Sequence, residues 1–144
     1  MNFWIQVAAA FAGSIGFALF LKIRGKQVVY AGIGGALTWA IYLLMHDAVQ
    51  SYFIASFIAS CFVAVYAEIM ARVNRAPATI FLTAAAVPMI PGGNLYYMMY
   101  GLMTENTKLA QENGMTALVI ALAISFGFIL VTVLNRYRLA LFSK

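Results

Sequence analysis

Apolar residues fall in five runs, 3–21, 28–45, 52–70, 79–103 and 115–134, separated by short polar segments. Each run approaches or exceeds the roughly 20 residues that a helix needs to cross the hydrocarbon of a bilayer. The pattern predicts an all-α integral membrane protein with five transmembrane helices in a single domain spanning 1–144. The connecting segments are KIRGK (22–26), HDAVQ (46–50), ARVNRAP (71–77) and TENTKLAQENG (104–114), and the tail is NRYRLALFSK (135–144). No short-period repeat or soluble linker divides the chain.

The fourth run is interrupted. PMIPGGN, residues 88–94, places Pro88, Pro91, Gly92 and Gly93 inside a segment otherwise apolar enough to span. Proline removes a backbone donor and glycine favours non-helical torsions, so the helix is expected to break there. Unpaired backbone groups cannot face lipid, so a break at membrane depth persists only where protein or a polar cavity surrounds it. Residues 79–87 and 95–103 then form two half-helices of about nine residues, roughly 14 Å each, with the gap near the midplane. With Asn94 as N-cap, a second half-helix starting at Leu95 presents free N–H groups and the positive end of its dipole to an anion. Discontinuous transporter helices hold a substrate carboxylate in this way. Tyr96 and Tyr100 share a face at i, i+4 and Tyr97 lies alongside, which places three hydroxyls near that gap. An interfacial aromatic belt is the competing reading.

Composition agrees with a membrane class: 65% of the 144 residues are hydrophobic and 9% charged, with a mean hydropathy of +0.92. The net charge of +5 comes from short clusters at the ends of apolar runs, which argues for topology signals over nucleic-acid binding. With five passes, Lys22, Arg24, Lys26, Arg72, Arg75, Arg136, Arg138 and Lys144 share one side, and Lys108 lies on the other. The positive-inside rule then puts the N-terminus outside and the C-terminus in the cytoplasm. A four-pass alternative, with 79–103 re-entrant, moves Arg136 and Arg138 outside. The first run lacks a basic n-region and is expected to be a retained helix, not a signal peptide. Gly13 and Gly16 in the first run, and Ala31, Gly32, Gly34, Gly35 and Ala36 in the second, suit close helix packing.

Other candidates are fewer. Ser56, Ser60, Ala64, Glu68 and Arg72 recur at i, i+4 and predict a polar or small stripe that faces protein. Glu68 is a candidate for proton coupling or gating, with a simple ion pair to Arg72 as the alternative. His46 and Asp47 end the second run at the outer side, where hydration is expected. Glu105 and Glu112 flank Lys108 as a solvated face. Cys61 is the lone cysteine, so no disulfide or cysteine-based metal site is available. No metal or other cofactor is expected, and no HExxH, GxSxG or Walker A motif points to an enzyme.

The segment EIMARVNRAPATIFLTAAAVPMIPGGNLYYMMYGLM (68–103) resembles the threonine/serine exporter family in its short split-gene, YjjB-type (ThrE-like) form. Glu68, Ala71, Arg72, Pro77, Phe81, Pro88, Pro91, Gly92, Tyr96 and Tyr97 occupy the family's motif positions, with Met89 and Ile90 in place of its usual Leu-Val. Outside this segment the likeness rests on length and hydropathy. The resemblance implies a proton-motive-force-driven exporter of threonine and serine, or of a dicarboxylate such as succinate, in a bacterial inner membrane. It also implies a larger membrane subunit of the same family as partner, with this chain as the C-terminal half. An odd number of helices per half fits two related halves in opposite orientation, as an inverted-repeat transporter requires. A non-transporting stabiliser of the larger subunit and a homo-oligomeric channel are the alternatives from other classes.

Overall fold

A computed structural model describes residues 2–142, with side chains through Tyr137. Met1, Lys144 and the side chain of Arg138, the latter two used above for orientation, lie outside the described residues.

Small residues set the packing of the first two helices, α1 (Phe3–Phe20) and α2 (Lys26–Val49). Gly32 and Gly35 are buried where α2 meets α1. A Cβ on Gly32 would come within 2.7 Å of the Ile15 side chain, and one on Gly35 would strike Ser14. Gly13 and Gly16, expected to serve the same purpose, are exposed and meet no other part of the chain. They lie on the outer face of α1, because its contact with α2 runs through Ser14 and Ala18 instead.

Helix α3 (Tyr52–Asn74) is capped by Ser51, whose Oγ accepts from the Ile54 N–H. It runs antiparallel to α2, and the Tyr66 hydroxyl donates to the Tyr30 carbonyl at 2.7 Å. Helix α4 (Ala78–Ala86) packs against α1, α2 and α3 and buries Phe81, Ala84 and Ala85. A 3-10 turn (Val87–Met89) follows, and α5 (Gly92–Met103) is bent by 51° from the segment Ala78–Met89. The last helix, α6 (Thr107–Phe142), packs on α3 and on α5.

Helices α3 and α6 run parallel. Ser60 Oγ approaches the Ala123 carbonyl at 3.5 Å, and twelve residues later Arg72 Nη2 donates to Asn135 Oδ1 at 3.2 Å. Gly127 permits this contact, since a Cβ there would strike Ser60. The stripe predicted on α3 faces protein at Ser56, Ser60 and Ala64, which are buried, and turns outward at Glu68 and Arg72.

Among the described residues, four helices are long and apolar enough to cross a membrane, or up to five if the bent pair α4–α5 is one span. Several boundaries extend beyond the apolar runs. Helix α2 carries His46 and Asp47 in its last turns instead of ending before them, and α3 continues through Arg72. The largest difference is at α6, which starts eight residues before Met115 and absorbs most of the expected 104–114 loop. Asn106 explains it: its Oδ1 accepts the Leu109 N–H at 3.1 Å, an N-cap that starts the helix. Lys, Leu, Ala, Gln and Glu then follow, all good helix formers.

Candidate functional site

The break is built in three steps. Pro88 removes the N–H that would continue α4, and the chain tightens into the 3-10 turn, closed by Ile90 N–H to the Val87 carbonyl at 3.2 Å. Ile90 is extended, at φ −62° and ψ 124°, and Pro91 again offers no donor. Helix α5 then begins at Gly92, with the Pro91 carbonyl accepting the Leu95 N–H at 3.0 Å.

This corrects the expected start. Asn94 is not the N-cap; it lies inside the first turn, and its Nδ2 donates to Asn113 Oδ1 of α6 at 3.4 Å. Proline's fixed φ makes Pro91 itself the entry residue, three positions earlier than the capping preference of asparagine suggests. The amides of Gly93 and Asn94 have no hydrogen-bond partner among the described residues. Above them the space is open: a Cβ on Gly92 or Gly93 would meet nothing within 4 Å.

Depth differs between the two halves. Met89 is buried in a cluster with Ala59, Val63 and Ala85, beside Ile41, at mid-height of α2 and α3. Helix α5 instead lies along the first turns of α6. A Cβ on Gly101 would come within 2.7 Å of the Ala110 amide nitrogen, and one on Gly114 would meet Met98 Sδ at 3.0 Å. All these α6 partners precede the apolar run that starts at Met115. The second half-helix is therefore docked toward the Thr107 end of the bundle, not across its middle.

Tyr96 and Tyr100 stack with ring centroids 6.4 Å apart, and Tyr97 meets Tyr96 edge-on at 5.3 Å. All three are at least half exposed and point away from the α6 contact made by Asn94, Met98 and Gly101. The residues 88–100 thus form one continuous element: two prolines, two open glycines, two free amides and three exposed phenols.

Glu68 and Arg72 are not part of that element. Arg72 Nη2 lies 4.0 Å from Glu68 Oε2, and both side chains are part-exposed. They border a cleft of about 260 Å³ between α3 and α6, walled by Val65, Ile69, Val131 and Leu134. Sequence reasoning does not find Asn135, which holds Arg72 from α6. Nor does it find Asn113 or Gly101, although the Asn106 cap would have placed α6 beside α5. A second cleft, between the α1–α2 turn and the start of α4, is lined by Lys22, Arg24, Gln27, Thr79, Ile80 and Thr83, among others.

Of the remaining candidates, His46, Asp47, Glu105, Lys108 and Glu112 lie at the opposite end of the helices, and Cys61 lies at mid-height of α3. His46 stacks on Tyr42 with centroids 5.9 Å apart and meets Tyr52 at a 44° tilt, 4.8 Å away, which joins the end of α2 to the start of α3. Lys108 and Glu112 form an exposed i, i+4 pair at 3.9 Å. Glu105 occupies the α5–α6 turn at φ +56°. Cys61 Sγ approaches the Gly127 carbonyl at 3.9 Å.

A protein-family model described as "Threonine/Serine exporter, ThrE" matches residues 6–134. The match extends well beyond residues 68–103 and covers every helix except the ends of α1 and α6. No curated protein and no solved structure matches the chain.

Proposed function

The chain belongs to the threonine/serine exporter family, and from that premise we propose that it is one membrane subunit of a two-component secondary exporter of threonine and serine, driven by the proton motive force. The observation that carries this reading is the open first turn of α5. The Gly93 and Asn94 amides and the helix dipole suit a substrate carboxylate. Tyr96, Tyr97 and Tyr100 offer hydroxyls beside it. Glu68 is the carboxylate assigned to proton coupling, since its pairing with Arg72 is long, at 4.0 Å, and both side chains are part-exposed.

The proposed topology is five-pass, N-terminus outside and C-terminus in the cytoplasm. The parallel course of α3 and α6 supports it. A re-entrant α4–α5 would return the chain to the side it left, and α6 would then run antiparallel to α3. The partner is a larger membrane subunit of the same family, related in opposite orientation, within a bacterial inner membrane. Its seat is the exposed face of α5, which a single helix of this chain leaves uncovered.

Vesicles carrying both subunits and energised by a proton gradient test the site. Gly92→Leu is expected to abolish export of labelled threonine and serine with unchanged membrane insertion, because the added side chain starts in open space, with nothing within 4 Å of its Cβ, in the turn that carries the free amides. Normal export by this variant refutes the site. Export of labelled succinate in place of the amino acids reassigns the substrate to a dicarboxylate. Export by the larger subunit alone, once stabilised, assigns this chain a supporting role.

A further inference from the structure

The second cleft has a chemistry of its own. It measures about 390 Å³, within the usual range of small-molecule sites, roughly 300–1,000 Å³. Lys22 and Arg24 line it from the α1–α2 turn, Gln27 from the first turn of α2, and Thr79 and Thr83 from α4. The chain has four acidic residues, Asp47, Glu68, Glu105 and Glu112, and none lines this cleft. Among the described residues neither Lys22 nor Arg24 has an ion-pair partner.

The frame that carries these groups is held in place. Ile23, between the two cations, is buried with Ala18, Ala31 and Ala84, and its N–H donates to the Ala18 carbonyl at 3.0 Å. Ile80 packs against the same cluster from α4. Lys22 at φ +58° and Gly25 at φ +70° turn the chain around this anchor. Positive charge at a helix end is explained by membrane topology alone. Topology does not require that two cations without an ion-pair partner line one cleft together with an amide residue and two threonines. Thr83 donates its hydroxyl to the Thr79 carbonyl at 2.7 Å, which leaves its oxygen lone pairs free as acceptors for an ammonium group.

We propose that this cleft is a binding site for a small carboxylate-bearing solute, which takes the exported molecule from the cytoplasm before it reaches the break. Its cytoplasmic location and its link to export rest on the reading above; the site itself rests on the cleft and its unpaired cations. Lys22 and Arg24 hold the carboxylate, and the threonine oxygens face the remainder of the molecule.

The full chain in nanodiscs of zwitterionic phosphatidylcholine, with isotope-labelled isoleucine and threonine methyl groups, provides the test. Titration with threonine or succinate is expected to shift the Ile23, Thr79, Ile80 and Thr83 signals saturably. The double variant Lys22→Gln/Arg24→Gln should weaken that binding at least tenfold. Thr79→Val, which retains both cations and so leaves the topology signals intact, should weaken it about threefold. Lys108→Gln, on the other end of the bundle, should leave it unchanged. No saturable shift with either carboxylate overturns the proposal, as does binding of inorganic phosphate alone. Shifts induced by phosphatidylglycerol nanodiscs that the carboxylates fail to displace also overturn it, and identify a lipid headgroup as the occupant. The readout is binding to this chain, so a failed titration rejects the cleft while the Gly92→Leu export test stands separately.

Discussion

The two halves of the broken span are nearly equal in length and opposite in environment. Helix α4 is enclosed by α1, α2 and α3 and buries Phe81, Ala84 and Ala85 completely. Helix α5 rests on α6, buries only Gly101, and exposes Tyr96, Tyr97, Met99, Tyr100, Leu102 and Met103 by half or more. One half is a structural post, and the other is a surface carried on one neighbour. Backbone breakers between them allow the second half to follow a different support from the first. The free amides of the break belong to the carried half, so whatever binds there reads a surface whose position depends on α6.

The contrast predicts a graded series of stability losses in equilibrium unfolding from mixed micelles. Phe81→Ala should cost the most, about 3–5 kcal/mol, because it empties a site enclosed on all sides. A loss below about 1 kcal/mol would mean that α4 is not the anchored half. Gly101→Leu should cost about 1–3 kcal/mol, since its side chain must push α5 off the α6 backbone. Its effect should be confined to α5, read as faster proteolysis in 90–106 with α4 still protected; loss of protection throughout would show that the halves fold as one. Asn94→Leu should cost about 0.6 kcal/mol, the usual worth of a hydrogen bond between membrane helices. Tyr96→Phe should fall within about 0.5 kcal/mol, as expected where a side chain is 63% exposed. A larger loss in the chain alone would show that the tyrosine face is already covered.

Much of α4 and the break is legible in the amino-acid sequence. Pro88, Pro91, Gly92 and Gly93 act through their own backbone chemistry, which neighbours do not alter, and the structure interrupts the helix at these residues. The i, i+4 relation of Tyr96 and Tyr100 and the Glu68–Arg72 pair are likewise local, and both form. Sequence and structure part where two local rules compete. Asn94 satisfies the capping preference, yet Pro91 has already set a helical entry, so the asparagine is free to reach Asn113. Hydropathy marks residues 107–114 as a loop and hides their helical propensity and the Asn106 cap. Nothing in sequence spacing reports that α3 and α6 run side by side, because that pairing depends on Ser60 finding Gly127 across 67 positions. Gly13 and Gly16 show the converse: small residues mark a face on which helices can approach, without saying whether this chain supplies the partner.

Helix α6 has 36 residues and is about 54 Å long, against a hydrocarbon thickness of about 30 Å. A rod longer than its medium tilts or projects, and the bilayer sets how much of each. Helix α5 is fastened to the turns of α6 between Asn106 and Gly114, ahead of the apolar run, whereas α4 is enclosed by α1, α2 and α3. Acyl-chain length is therefore expected to reach the free amides of Gly93 and Asn94 through α6, and proteolysis within 90–106 compared in thin and thick bilayers measures it.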